Sequence, residues 1–193
     1  MKILPQEFYM EDTTTVAKAL LGKILHVKKG KEEFKARIVE VEAYLGIEDP
    51  ACHTFGDRKT PRTKSMYLDG GHSYVYMIYG MYYCLNFVTR TEEFPEAVLI
   101  RGVQPLNADT HVKKKDIKTN GPGKLCKHYE ITKEHDGLKL WKNTSPLFVS
   151  EDDHIVKSKQ IIARPRIGVD YAGEAAQWPL RFYLKDNLFI SRP

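Results

Sequence analysis

Two carboxyls and a phenol lie close together in the run RIVEVEAYL, residues 37–45. The two-residue period of a strand would set Val39, Val41, Ala43 and Leu45 on one face and Glu40, Glu42 and Tyr44 on the other. Two acids one residue apart are most often the wetted face of a sheet. In a cleft, a carboxylate beside Tyr44 would instead be a candidate general base. Cys52 and His53 follow, and with Glu40 and Glu42 they could be read as the ligands of a metal-dependent hydrolase. Their spacing fits no compact zinc or two-metal pattern, so no metal is expected.

A second stretch, residues 74–88, has no charged residue in fifteen positions and contains five tyrosines. The plain reading is a buried hairpin stabilised by aromatic pairs. Gly80, however, supplies the positive φ of a tight turn, which leaves Tyr79 at the tip where a large ring is poorly covered. An exposed aromatic tip suits a wedge between DNA base steps, since extruding a base costs a few kcal/mol that an inserted ring partly offsets. Basic residues surround these segments: Arg58, Lys59, Arg62 and Lys64, then Lys113 to Lys115, then Lys124 and Lys127. Gly121-Pro122-Gly123-Lys124 offers a glycine turn into a helix, a phosphate-binding feature, but lacks the full P-loop pattern.

Short elements must position these residues. Asp12 or Thr13 can cap a helix with Val16, Ala17, Leu20 and Leu21 on its apolar side, and Gly22 is a natural stop. Strands are expected over 23–28 and 34–45 around the turn 29–31, then as a hairpin over 73–89, and over 97–103, 147–150, 161–169 and 180–184. Two further helices are expected, over 109–118 and 123–129. The fold class is α+β, one mixed domain spanning residues 1–193 with a curved, mainly antiparallel sheet and a protruding β-hairpin.

Composition bounds the partners. A formal charge of +5 and a pI near 8.9 suit a polyanion without requiring one. Three widely spaced cysteines with no Cys-x-x-Cys pair argue against a disulfide framework. The apolar run before Pro5 is too short for a signal-peptide core, and no stretch has the 18 or so apolar residues of a membrane span. A cytoplasmic protein without a membrane partner is expected.

In their order along the chain, VAKALLGKIL, RIVEVEAYLGIEDPACHTFG, RKTPRTKSMY, YVYMIYGMYYCLNFVT, VLIRGVQPL, GPGKLCK, ARPRIGVDYAGE and PLRFYLKDN resemble the alkyladenine (3-methyladenine, methylpurine) DNA glycosylase family over nearly the whole sequence. The resemblance implies a monofunctional, cofactor-free enzyme of base-excision repair. Such an enzyme flips 3-methyladenine, 7-methylguanine, ethenoadenine or hypoxanthine from double-stranded DNA and hydrolyses the N-glycosidic bond, leaving an abasic site. It implies that Glu42 activates the attacking water, which Arg101 and the backbone carbonyl of Ile167 also hold. Tyr44 would stack on one face of the flipped purine and His53 with Tyr76 on the other, the His53 backbone N–H reading the base edge. Tyr79 would intercalate and Asn86 would filter out normal guanine. A monomer at the nucleoid is expected. The competing class is a nonenzymatic nucleic-acid binding module that uses the tyrosine hairpin as a stacking platform.

Overall fold

The computed structural model describes residues 1–107 and 113–193. Nine strands form one open sheet, and every strand pairing among the described residues is antiparallel. They are β1 (Lys2–Ile3), β2 (Ile24–Lys29), β3 (Glu32–Tyr44), β4 (Ser73–Ile78), β5 (Tyr82–Thr89), β6 (Glu96–Pro105), β7 (Leu147–Glu151), β8 (Ile161–Arg164) and β9 (Arg181–Leu184). The main order is β1-β7-β2-β3-β6-β5-β4, with β9 joining β3 and β8 joining β9. Helix α1 (Thr13–Leu20) begins where Asp12 accepts a hydrogen bond from the Thr15 amide at 2.9 Å, a cap worth about 1 kcal/mol. It buries Val16, Ala17 and Leu20 against the sheet and ends before Gly22, whose φ of 89° is left-handed.

β3 is the long central strand, and both of its faces are covered over residues 38–43. The expectation of a half-wet strand is therefore corrected: Glu40 and Glu42 are fully buried. The alternation is also broken by two bulges against β6. The register runs from Ile38↔Val103 to Glu40↔Gly102 to Val41↔Ile100, leaving Val39 and then Arg101 as extra residues. Bulges re-aim side chains. Here the second one turns Arg101 toward the two glutamates of β3.

Other boundaries shift for identifiable reasons. The strand expected over 161–169 stops at Arg164, because Pro165 has no N–H to continue a ladder. The chain then leaves the sheet and carries Arg166 and Ile167 inward. The helix expected over 109–118 begins outside the described residues, and 114–116 form a single 3-10 turn. Helix α2 (Pro122–His128) lies close to its expected place. The glycine turn ahead of it has a packing role, since a Cβ on Gly123 would meet the Tyr82 side chain at 3.1 Å. The strand expected over 147–150 is present as β7, near one edge of the sheet. There β7 pairs with β2 and β1, and Asp152 takes two hydrogen bonds from Arg37 at 3.1 and 2.8 Å.

Between β4 and β5, Tyr79 (φ 51°) and Gly80 (φ 67°) form a two-residue turn closed by Met81 N–H donating to Ile78. A type I′ turn requires positive φ at both positions, which is uncommon for tyrosine. β5 pairs with β6 only from Asn86 onward, so the hairpin runs out beyond its neighbour. Tyr79 is 86% exposed at its end, with Met77 and Met81 beside it.

Gly102 marks a close approach between β6 and the C-terminal segment. A Cβ there would meet the Phe189 carbonyl at 2.6 Å and Glu40 Cβ at 3.2 Å. Gly102→Ala should therefore push the C-terminal segment off Glu40 and cost roughly 1–3 kcal/mol in urea unfolding. An unchanged midpoint and slope would refute this packing.

Candidate active site

Glu42 is the centre of the site. Its Oε1 accepts the backbone N–H of Ile167 at 2.8 Å, and its Oε2 accepts Tyr44 O–H at 2.9 Å and Arg101 Nη1 at 3.2 Å. These donors come from three different segments: the end of β3, the β6 bulge and the loop after β8. A fully buried carboxylate needs such partners, because an unpaired charge in the interior is prohibitively costly. Glu40, two residues earlier, is satisfied separately. It accepts Arg181 Nη1 at 2.9 Å and the Ser191 N–H and O–H at 2.6 and 2.8 Å, while Arg101 Nε stands 3.5 Å away. The two acids that share a strand thus have different surroundings.

Above Glu42 lies a cavity of about 410 Å³ whose wall includes Tyr44, Arg101 and Ile167, the three residues that donate to it. Glu42 itself is not part of the wall. Tyr44, His53, Tyr76, Asn86 and Tyr79 all border the same space. The structure therefore brings the eight residues that the family resemblance singles out to one place. Asn86 is nearly buried and donates from Nδ2 to the Tyr74 carbonyl at 3.1 Å. Ile167 meets Glu42 through its amide, whereas sequence drew attention to its carbonyl.

His53 is set by the loop after β3. Its Nδ1 lies 2.9 Å from the Tyr74 hydroxyl, its Nε2 lies 3.4 Å from Arg62 Nη2, and its ring meets Tyr76 edge-on at 4.5 Å. Arg62 can only donate, so Nε2 accepts and Nδ1 carries the proton. Burial, with Arg62 and Arg58 nearby, pushes its pKa down to about 4. Among the described residues no three His, Cys, Asp or Glu side chains form a metal-binding group. Cys52 contacts Thr54, and all three cysteines are free and buried.

Two residues that sequence did not single out complete the architecture. Arg166 and Asp49, both with fully buried side chains, form a bidentate pair. Arg166 also donates to the carbonyls of Ala43 and Ala175, and its guanidinium lies 4.8 Å from the centre of the Tyr44 ring. Asp49 in turn accepts the N–H groups of Leu45 and Ala51, both at 3.0 Å, which holds the loop that carries His53. The only sequence signal was their place inside IEDPACHTFG and ARPRIGVDYAGE.

A sequence model of the methylpurine-DNA glycosylase family matches residues 7–188. The chain belongs to that family. A Bdellovibrio bacteriovorus protein is 70% identical over 98% of this chain and 99% of its own length. One from Clostridium novyi is 46% identical over the full length of both. Both relatives are provisionally named 3-methyladenine DNA glycosylases. As a member of the methylpurine-DNA glycosylase family the chain is a DNA-repair enzyme, a hydrolase of N-glycosyl bonds. Among the described residues no helix is long and apolar enough to cross a membrane.

The pKa of His53 gives a test with a definite sign. The unfolded chain takes up a proton near pH 6.5 that folded His53 refuses until about pH 4. Its contribution to stability is therefore full above pH 6.5 and is lost progressively down to about 4. In NMR titrations the His53 ring should stay neutral from pH 8 to 5. A midpoint near 6.5 would contradict the burial and charge contacts described above.

Proposed function

We propose that the enzyme flips alkylated or deaminated purines (3-methyladenine, 7-methylguanine, ethenoadenine and hypoxanthine) from duplex DNA into this cavity and hydrolyses their glycosidic bond without metal or cofactor. The observation that carries the reading is the convergence of three cavity-wall donors on one buried carboxylate. Glu42 takes a proton from water as the water oxygen bonds to the anomeric carbon. The carbon–nitrogen bond breaks and the purine leaves with its electrons, generating an abasic site. For that water to reach Glu42 one donor must give way, and the Arg101 contact, the longest of the three, is the one that yields. Arg101 and the Ile167 carbonyl then hold the water.

Tyr44 stacks on one face of the purine and neutral His53 with Tyr76 on the other, the His53 backbone N–H facing the base edge. Asn86, anchored to Tyr74, acts as a steric and hydrogen-bonding filter against normal guanine. An N3- or N7-alkylated purine carries positive charge and leaves as a neutral base, whereas hypoxanthine or ethenoadenine must gain a proton on departing. Among the described residues no lysine lines the cavity, so no amine is placed to form a Schiff base. Tyr79 fills the gap left in the helix. The same reading takes residues 1–193 as one domain acting as a monomer on damaged DNA.

The test is base release from duplexes carrying each lesion, in chelator, followed by borohydride treatment. Free base, an abasic strand and no trapped complex are expected. Tyr79→Ala should lower release from duplex at least tenfold while leaving a single-stranded lesion nearly unaffected, since unstacking there costs little. Tight binding to undamaged strands without release of any base would favour a binding module instead.

A further inference from the structure

Arg166 serves none of the chemical steps above, yet it is one of the most constrained side chains in the molecule. It is fully buried, fixed by the Asp49 carboxylate and by the carbonyls of Ala43 and Ala175, and it lies 4.8 Å from the centre of the Tyr44 ring. Tyr44 lines the cavity and Arg166 does not, so the guanidinium backs the ring from the protein side. A cation against a ring is attracted by the ring's electron density and competes for it with any second cation on the opposite face. The same side chain links both ends of the site. Asp49 ties it to the loop of His53, and its chain neighbour Ile167 donates to Glu42.

We infer that Arg166 is a positioning and specificity-determining residue: by occupying the back of the Tyr44 ring it makes the pocket favour neutral purines over cationic alkylpurines. The inference rests on the proposed stacking of the purine on the front of Tyr44. Without Arg166 the electron density of that ring is fully available to a cationic base. Because Asp49 and Arg166 carry opposite charges, removing both together leaves net charge, and hence general DNA attraction, unchanged.

The experiment compares single-turnover kcat/KM for 7-methylguanine and hypoxanthine in the wild type, Arg166→Lys and the double variant Asp49→Asn/Arg166→Met. The double variant avoids a buried unpaired carboxylate, which would cost several kcal/mol. Its ratio of cationic to neutral substrate should rise about threefold to tenfold over wild type. Arg166→Lys, which keeps the charge but not the planar fork, should fall between. If the double variant does not fold, Arg166→Lys carries the test, and its ratio should rise about twofold. Equal losses on both substrates would reduce Arg166 to a structural residue and overturn the inference. Failure of the wild type to release either base would overturn the functional reading itself.

Discussion

Two carboxylates sealed inside a sheet are tolerable only if the rest of the protein supplies their counter-charges, and much of this fold is arranged to do so. Glu40 and Glu42 share the middle of the central strand with no solvent contact. Arg101 comes between them from a bulge, and Arg181 comes to Glu40 from the next strand along. Removing one partner of such a buried pair typically costs about 3–5 kcal/mol, because the other charge is left stranded. The network is thus a strict constraint on register: a one-residue slip of β3 or β6 would part the charges.

That constraint explains several features that otherwise look unrelated. The C-terminal segment folds back because Ser191 completes the shell of Glu40, and Gly102 must lack a side chain to let it pass. The chain leaves the sheet at Pro165 so that the Ile167 amide can reach Glu42 and Arg166 can reach Asp49. Each of these elements also forms part of the cavity wall or supports it. The charges paired inside the sheet and the groups that would act on a purine are consequently one structure.

Much of this was legible in sequence. α1 announced itself by a capping Asp12, apolar positions at helical spacing and Gly22, and the hairpin by Gly80 in an uncharged run rich in tyrosine. Glu42 and Tyr44 were paired correctly because side-chain alternation is local. What could not be read was long-range. Strand period says nothing of a bulge, so only the family resemblance pointed Arg101 toward Glu42, and the covering of the second face of β3 was invisible. The Arg166–Asp49 pair joins residues more than a hundred positions apart, and neither residue stands out by composition. The strand expected over 161–169 ends at Arg164 because Pro165 interrupts the ladder. The separate placement of residues 147–152 against β2 likewise follows from sheet order, which local pattern does not encode.

The central claim is that the chemistry resides in Glu42 and that binding of the base resides in the aromatic cavity above it. It is tested most directly by following ethenoadenine fluorescence and base release in the same single-turnover reaction, for the wild type and for Glu42→Gln. The account predicts equal flipping signals in both proteins, with release in the variant slower by about 10²- to 10⁴-fold. Release by Glu42→Gln within threefold of the wild type would contradict it.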